Sequence, residues 1–144
     1  MDYKQGISNY QNIQFQTADP AKLIILMYNK IDEELNKAKE LIKIGKIEQK
    51  GNSIVKSQDI IMELLNSLDL DVGPIAKNLQ ALYLFLFKEL NLINFKNDLE
   101  KLDKVIEIIN SLKSAWEEII QNRSANNQTK EYKKEKTENF ALVG

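Results

Sequence analysis

The chain has 144 residues, of which 43% are hydrophobic, and its formal net charge is −1. This length suits one domain, and the hydrophobic share is sufficient for a core, which argues against global disorder. Five glycines and two prolines are too few for the frequent turns of a many-stranded β protein. The near-neutral charge, with Arg123 as the only arginine among 20 basic residues, argues against nucleic acid as a partner.

Two residue types that carry much of protein chemistry are absent from the sequence. Without cysteine there is neither a disulfide framework nor a reactive thiol. Without histidine, Ser-His-Asp catalysis, histidine-ligated zinc and the Glu-x-x-His pairs of di-iron bundles are excluded. The adjacent carboxylates of Glu33–Glu34 and Glu117–Glu118 would point in different directions on a helix, so we interpret them as solvated surface. The sequence therefore predicts no enzymatic activity, no cofactor and no metal.

We expect no segment that enters or crosses a membrane. The first residues lack the basic region and apolar run of a signal peptide. The longest apolar stretch, residues 79–87, spans nine residues and contains Gln80, whereas a membrane helix needs about 20. The expected location is the cytoplasm.

Residues 1–18 are predicted to form a polar lead-in with scattered apolar side chains. At Asp19–Pro20 a helix should begin, because an aspartate can accept hydrogen bonds from free amides and proline suits the first helical position. Apolar residues at spacings of three and four continue this first helix to about residue 43. Gly45 is expected to end it.

A second helix is predicted over residues 47–69, where isoleucine or leucine recurs at intervals of seven, and residues 69–74 form the clearest loop. The third helix, residues 75–94, is apolar nearly all round. Such a helix is buried on most sides or covered by another molecule.

Either Asn97 or Asp98 is expected to cap a fourth helix, which continues to about residue 121 with the cleanest amphipathic pattern of the chain. Trp116 lies on the apolar side of this helix and is predicted to pack in the core. Residues 123–144 carry five basic and three acidic side chains in a polar background, which is typical of a disordered tail.

Four helices with short connections predict an all-α fold, an antiparallel up-down four-helix bundle. The expected organisation is an N-terminal lead-in at residues 1–18, the bundle at residues 19–122 and a disordered C-terminal tail at residues 123–144.

In order and spacing, several segments resemble the flagellin-specific export chaperones, the FliS family. The resemblance covers residues 10–121 and includes a Pro-x-x-Leu opening followed by Leu26-Met27-Tyr28. Lys113 departs from the pattern, since the family commonly has arginine there. The other segments that carry the resemblance are Tyr10-Gln11, Glu63-Leu64, Leu68-Asp69, residues 73–83 and the stretch from Leu102 to Ile119 with Trp116.

This resemblance implies a cytoplasmic chaperone that binds the disordered C-terminal segment of newly made flagellin. It also implies that binding prevents premature polymerisation, and that the loaded chaperone delivers flagellin to the flagellar export gate. Client helices would lie in apolar grooves outside a bundle that is largely monomeric when free. From their own apolar side chains in a polar background, residues 1–18 are expected to cover the groove until the client arrives, and the alternative is a merely frayed segment. The expected client-binding residues are Ile7, Tyr10, Tyr28, Ile61, Leu64, Leu68, Leu82, Tyr83 and Leu86.

Two alternatives remain open at the level of sequence. The surplus apolar surface of the third helix would also suit a generic helical oligomerisation module that associates with itself. A regulatory bundle that binds a folded partner protein is the second alternative.

Overall fold

The computed structural model of the chain describes the backbone of residues 19–143 and the side chains of residues 19–126. The described residues form four α-helices and a single 3-10 turn, without a β-strand, and confirm the predicted all-α four-helix bundle. No helix in this part of the chain combines the length and apolar character needed to cross a membrane. The helices are α1 (Pro20–Lys43), α2 (Ile47–Asn66), α3 (Pro74–Lys96) and α4 (Leu99–Val143), and the 3-10 turn is Leu70–Val72.

Local chemistry sets both ends of α1 as the sequence predicts. The Asp19 carboxylate accepts a hydrogen bond from the amide of Ala21 at 3.0 Å, and Pro20 occupies the first helical position. After the helix, Gly45 adopts φ of +76°, a conformation that a β-carbon disfavours. The chain can therefore reverse direction there and enter α2.

The connection from α2 to α3 begins earlier than predicted, because α2 ends at Asn66 instead of residue 69. The hydroxyl of Ser67 donates to the carbonyl of Leu64 at 2.7 Å, which occupies one of the last free carbonyls of the helix. Asp69 then accepts from the amide of Asp71 at 3.1 Å and starts the 3-10 turn.

Asn97 and Asp98 have different roles at the junction of α3 and α4. Asn97 takes the left-handed conformation, with φ of +56°, and ends α3. The Asp98 carboxylate accepts from the amide of Lys101 at 3.1 Å, so Asp98 is the residue that caps α4.

Helix α1 packs extensively against both α2 and α4, whereas α3 packs mainly against α2 and less extensively against α4. Apolar side chains from all four helices meet in one core. The fully buried members of that core are Tyr28, Ile31, Leu35, Ala38, Ile54, Ile61, Leu86, Leu90, Ile93, Leu102 and Ile109.

The structure corrects the predicted end of α4. We expected the helix to stop near residue 121, but its backbone continues as an α-helix to Val143. Residues 99–143 contain neither glycine nor proline, and lysine and glutamate, which favour helix, are frequent after residue 123. Arg123 lies 4.0 Å from Asp19 at the start of α1, so the last 20 or so residues of α4 extend about 30 Å beyond that level.

Candidate functional site

Most of the residues expected to contact a client lie in the core. Tyr28, Ile61, Leu64, Tyr83 and Leu86 are all at most 2% exposed, so in this conformation they support the surface from beneath and do not face solvent. Leu68 and Leu82 are half-buried at the edge of the core. Ile7 and Tyr10 lie outside the described residues. The client contacts were predicted from the apolar repeat of each helix. Because such a repeat marks the side of a helix that packs against its neighbours, most of the predicted contacts are core residues.

A chain of hydrogen bonds between aromatic side chains joins three helices inside the bundle. The indole Nε1 of Trp116 donates to the Tyr28 hydroxyl at 3.2 Å, and the Tyr28 and Tyr83 hydroxyls lie 2.5 Å apart. Burial raises the pKa of Tyr28 above its ordinary value, against the opposing effect of its two hydrogen bonds. Burial, and then the neighbouring Tyr28, raise the pKa of Tyr83. Trp116 itself is half-buried against the core, which makes its contribution structural.

Exposed large apolar side chains are concentrated in one continuous segment of the chain. Among the described residues, only Ile44 and Ile119 lie outside the segment formed by α2, the following turn and α3. The members within that segment are Ile47, Val55, Met62, Leu70, Val72, Ile75, Leu84, Phe85, Leu92 and Phe95.

Five residues of α3 follow one line along its solvent side. Their spacing is four, three, four and three residues, which keeps side chains on one face of a helix. Phe95 is 84% exposed, and Phe85 and Leu92 are nearly half exposed. We call this set the outer stripe, and its members are Ala81, Phe85, Lys88, Leu92 and Phe95.

Two pairs of polar contacts hold α3 against α2. Lys50 is buried, and its Nζ donates to the carbonyl and to Oδ1 of Asn94, at 2.6 and 2.8 Å. The carbonyl belongs to the last turn of α3, where a cation is favourable. Gln58 donates through Nε2 to the carbonyl of Phe87 at 3.1 Å and to Oδ1 of Asn91 at 2.7 Å. These bonds set the rotation of α3 about its axis, so its outer stripe faces solvent.

Burial lowers the pKa of Lys50, because removing an ammonium from water disfavours its charged form. No carboxylate among the described side chains lies within ion-pair distance of its Nζ. Sequence reasoning missed Lys50 and Gln58 as helix-joining residues. The available signal was that each is a polar residue close to the apolar repeat of α2.

The seam between α1 and α4 has a different, polar character. Lys39 pairs with Asp103 at 2.8 Å, and the side chain of Asn110 donates to Asp32 at 3.0 Å. On the side of α3 that faces α4, Glu89 and Lys101 are 3.7 Å apart. Polar residues therefore close the α1–α4 seam, while apolar side chains remain uncovered on α2 and α3. Among the described residues, no group of acidic side chains is arranged to hold a metal ion.

Comparisons with known proteins agree with this architecture. The family model described as flagellar protein FliS matches residues 3–123. The flagellar secretion chaperone FliS of Vibrio cholerae is 40% identical over 107 residues, which cover 74% of this chain and 79% of that protein. The protein of the same name from Bacillus subtilis is 29% identical over 112 residues, covering 78% and 84%. A crystal structure described as a flagellar chaperone from bacteria shares the fold, with a TM-score of 0.69 at 20% identity, covering 83% and 98% of the two chains.

Proposed function

The chain belongs to the FliS family of flagellar secretion chaperones, and from this membership we propose that its client is flagellin, bound through the C-terminal segment. Binding would keep flagellin from polymerising before export, and the loaded complex would pass to the flagellar export gate. The work of such a protein takes place in the cytoplasm, and its free form is largely monomeric. A holding role of this kind uses binding surface and no catalytic group.

The outer stripe is the observation that supports this proposal most strongly. Its residues recur at helical spacing, and an amphipathic helix is the partner that such a row of apolar side chains accommodates. Phe85, Leu92 and Phe95 would supply most of the apolar contact area, with Leu84 beside them. Several large apolar side chains exposed on one helix of a small bundle are typical of a site for another protein.

The residues expected as client contacts then separate into two groups. Leu68 and Leu82 are half-buried at the edge of the core and remain candidates for direct contact. The five buried residues hold the backbone of α2 and α3 in place beneath the client. A substitution among those five would act on stability first.

Residues 1–18 are proposed to cover part of the apolar surface in the free protein, with Ile7 and Tyr10 as the contacts. Residues 1–18 precede Asp19, which lies beside Arg123 of α4 at the end of the bundle where α3 also starts. Displacing such a cover would subtract from the affinity for the client.

Calorimetry and circular dichroism with a flagellin C-terminal peptide test this function. We expect a negative heat-capacity change and a gain of helix beyond the sum of the separate parts, because a disordered client folds as it buries apolar surface. Phe85→Glu should abolish most of the binding. Ile44→Glu introduces the same charge at another exposed apolar residue, on the end of α1, and should bind as the parent does.

Thermal melts of both variants establish that each is folded. If the parent protein does not bind the peptide, flagellin is not the client. Equal binding by Phe85→Glu and the parent would show that the client lies elsewhere on the surface.

A further inference from the structure

The outward side of α3 carries positive charge that no described residue neutralises. Lys77, Lys88 and Lys96 are all exposed, and none lies within ion-pair distance of a described carboxylate. The only acidic residue of α3 is Glu89, and it is paired with Lys101 of α4. Six of the described lysines outside α3 have an acidic partner, whereas Lys22, Lys37, Lys46 and Lys56 are exposed and unpaired like those of α3.

Lys88 occupies the centre of the outer stripe, with two residues of the stripe on either side of it. Lys77 precedes it by 11 residues, which is close to three helical turns. The two side chains therefore project in nearly the same direction, about 16 Å apart along the helix axis. Any helix that lies along the stripe must pass over both ammonium groups.

We propose that the segment bound on the outer stripe is an amphipathic helix with an acidic side chain opposite Lys88 and a second one about three turns away, opposite Lys77. A wholly apolar segment would bury the Lys88 ammonium without a partner, and that desolvation is unfavourable. An acidic partner turns the same position into a charge-assisted hydrogen bond that also sets the register of the bound helix. The inference rests on the proposed chaperone function only for the identity of that segment as part of flagellin.

The same lysine argues against a second copy of this chain as the occupant. In a two-fold symmetric, antiparallel pairing about the centre of the stripe, the Lys88 side chains of the two copies would face each other. Like charges that are directly opposed at an apolar contact disfavour the pair. A partner of different sequence avoids this repulsion.

Two designed helical peptides test the proposal without flagellin. Both carry leucines at the spacing of the outer stripe, and they differ only in having glutamate or lysine at the positions that would face Lys88 and Lys77. We expect the acidic peptide to bind the full-length protein about tenfold more tightly at low salt, since pairing replaces repulsion at two sites. High salt should narrow the difference. Equal affinity for the two peptides would overturn the proposal.

Lys88→Glu is the variant that localises the effect. It should remove or reverse the preference for the acidic peptide, whereas Lys37→Glu, the same change at an exposed and unpaired lysine of α1, should leave the preference intact. If both variants behave alike, the preference reflects net charge and the assignment to Lys88 is wrong. Sedimentation of the parent as a dimer that Leu92→Glu dissociates would assign the stripe to a second copy instead.

The flagellin C-terminal peptide provides the third measurement and separates the two hypotheses. If the peptide binds the parent, and binds Lys88→Glu but not Lys37→Glu about tenfold more weakly, the client assignment and the charge rule both hold. If it binds the parent and Lys88→Glu equally, the client assignment stands and the charge rule fails. If it does not bind while the acidic peptide does, the charge rule stands and the client is another acidic amphipathic segment.

Discussion

Replacing Tyr28 by phenylalanine removes one oxygen atom that connects α1 to both α3 and α4. In the parent protein this oxygen accepts from Trp116 at 3.2 Å and shares a hydrogen bond with Tyr83. The substitution leaves two polar groups without that partner, and each unsatisfied buried group costs about 1–3 kcal/mol. Trp116 is only half-buried, so its indole N–H can bond to water and its cost lies at the low end of this range. We expect a loss of about 2–4 kcal/mol in the free energy of unfolding.

Tyr83→Phe is the matched comparison. It deletes the other hydroxyl of the pair but leaves the Tyr28 oxygen bound to Trp116, so the expected loss is about 1 kcal/mol. Because both substitutions break one shared hydrogen bond, the double variant should lose less than the sum of the two single losses. Urea denaturation followed by far-UV circular dichroism measures all three, and an unchanged slope would show that stability alone has changed.

The ranking of the two single variants decides whether the reasoning is correct. If Tyr83→Phe costs as much as Tyr28→Phe, or more, the Tyr28 oxygen does not have the central position assigned to it. Peptide affinity is the second readout, since Tyr28 is fully buried and should not contact a client. Loss of binding in a folded Tyr28→Phe protein would contradict its placement in the core.

Three other outcomes are expected. Lys50→Met should destabilise the protein by about 2 kcal/mol, since Asn94 loses a charged donor. Burial lowers the pKa of Lys50 in the folded protein, so between that pKa and the ordinary 10.5 the unfolded chain binds more protons. Lys50 therefore makes the stability of the parent protein rise with pH in this window. Urea titrations at several pH values should show that Lys50→Met lacks this rise. The pKa values of Tyr28 and Tyr83 are raised in the folded protein, so both tyrosines ionise at lower pH in the unfolded chain. The free energy of unfolding should therefore fall as pH rises above the ordinary 10.0. The fall should be less steep in the variant with phenylalanine at both positions. A chain that ends at Asn122 should melt within a few degrees of the parent while losing helical signal in circular dichroism, whereas a large drop in melting temperature would mean that the end of α4 docks on the bundle.

The helix boundaries that could be predicted are those set by neighbouring residues. Asp19, Gly45 and Asp98 act on amides or dihedral angles within a few positions of themselves, so their roles are visible in the sequence. The end of α4 was not visible in this way. A polar composition is compatible with both an exposed helix and an unfolded tail, and residues 123–143 carry no glycine or proline that would have distinguished them.

The candidate site could be predicted only as far as the helix that carries it. Periodicity identifies an inward face when apolar and polar sides differ, but α3 is apolar on both. Its rotation depends on Lys50 and Gln58, whose partners Asn94 and Asn91 are 44 and 33 residues away in sequence. Leu86 and Phe85 are adjacent apolar residues, yet one is fully buried and the other is nearly half exposed. Only the three-dimensional arrangement separates them.

The position of α3 in the chain also bears on how the protein is made. An unfolded α3 exposes apolar side chains all round, which makes it the segment most prone to stick to other nascent chains. Helices α1 and α2 share an extensive interface and are joined by a short turn, and ribosomal synthesis completes both before Pro74 is added. When α3 emerges, Lys50 and Gln58 are already part of the preceding hairpin and can bind its polar edge. The order of synthesis therefore shortens the time during which the apolar side chains of α3 are exposed and can aggregate.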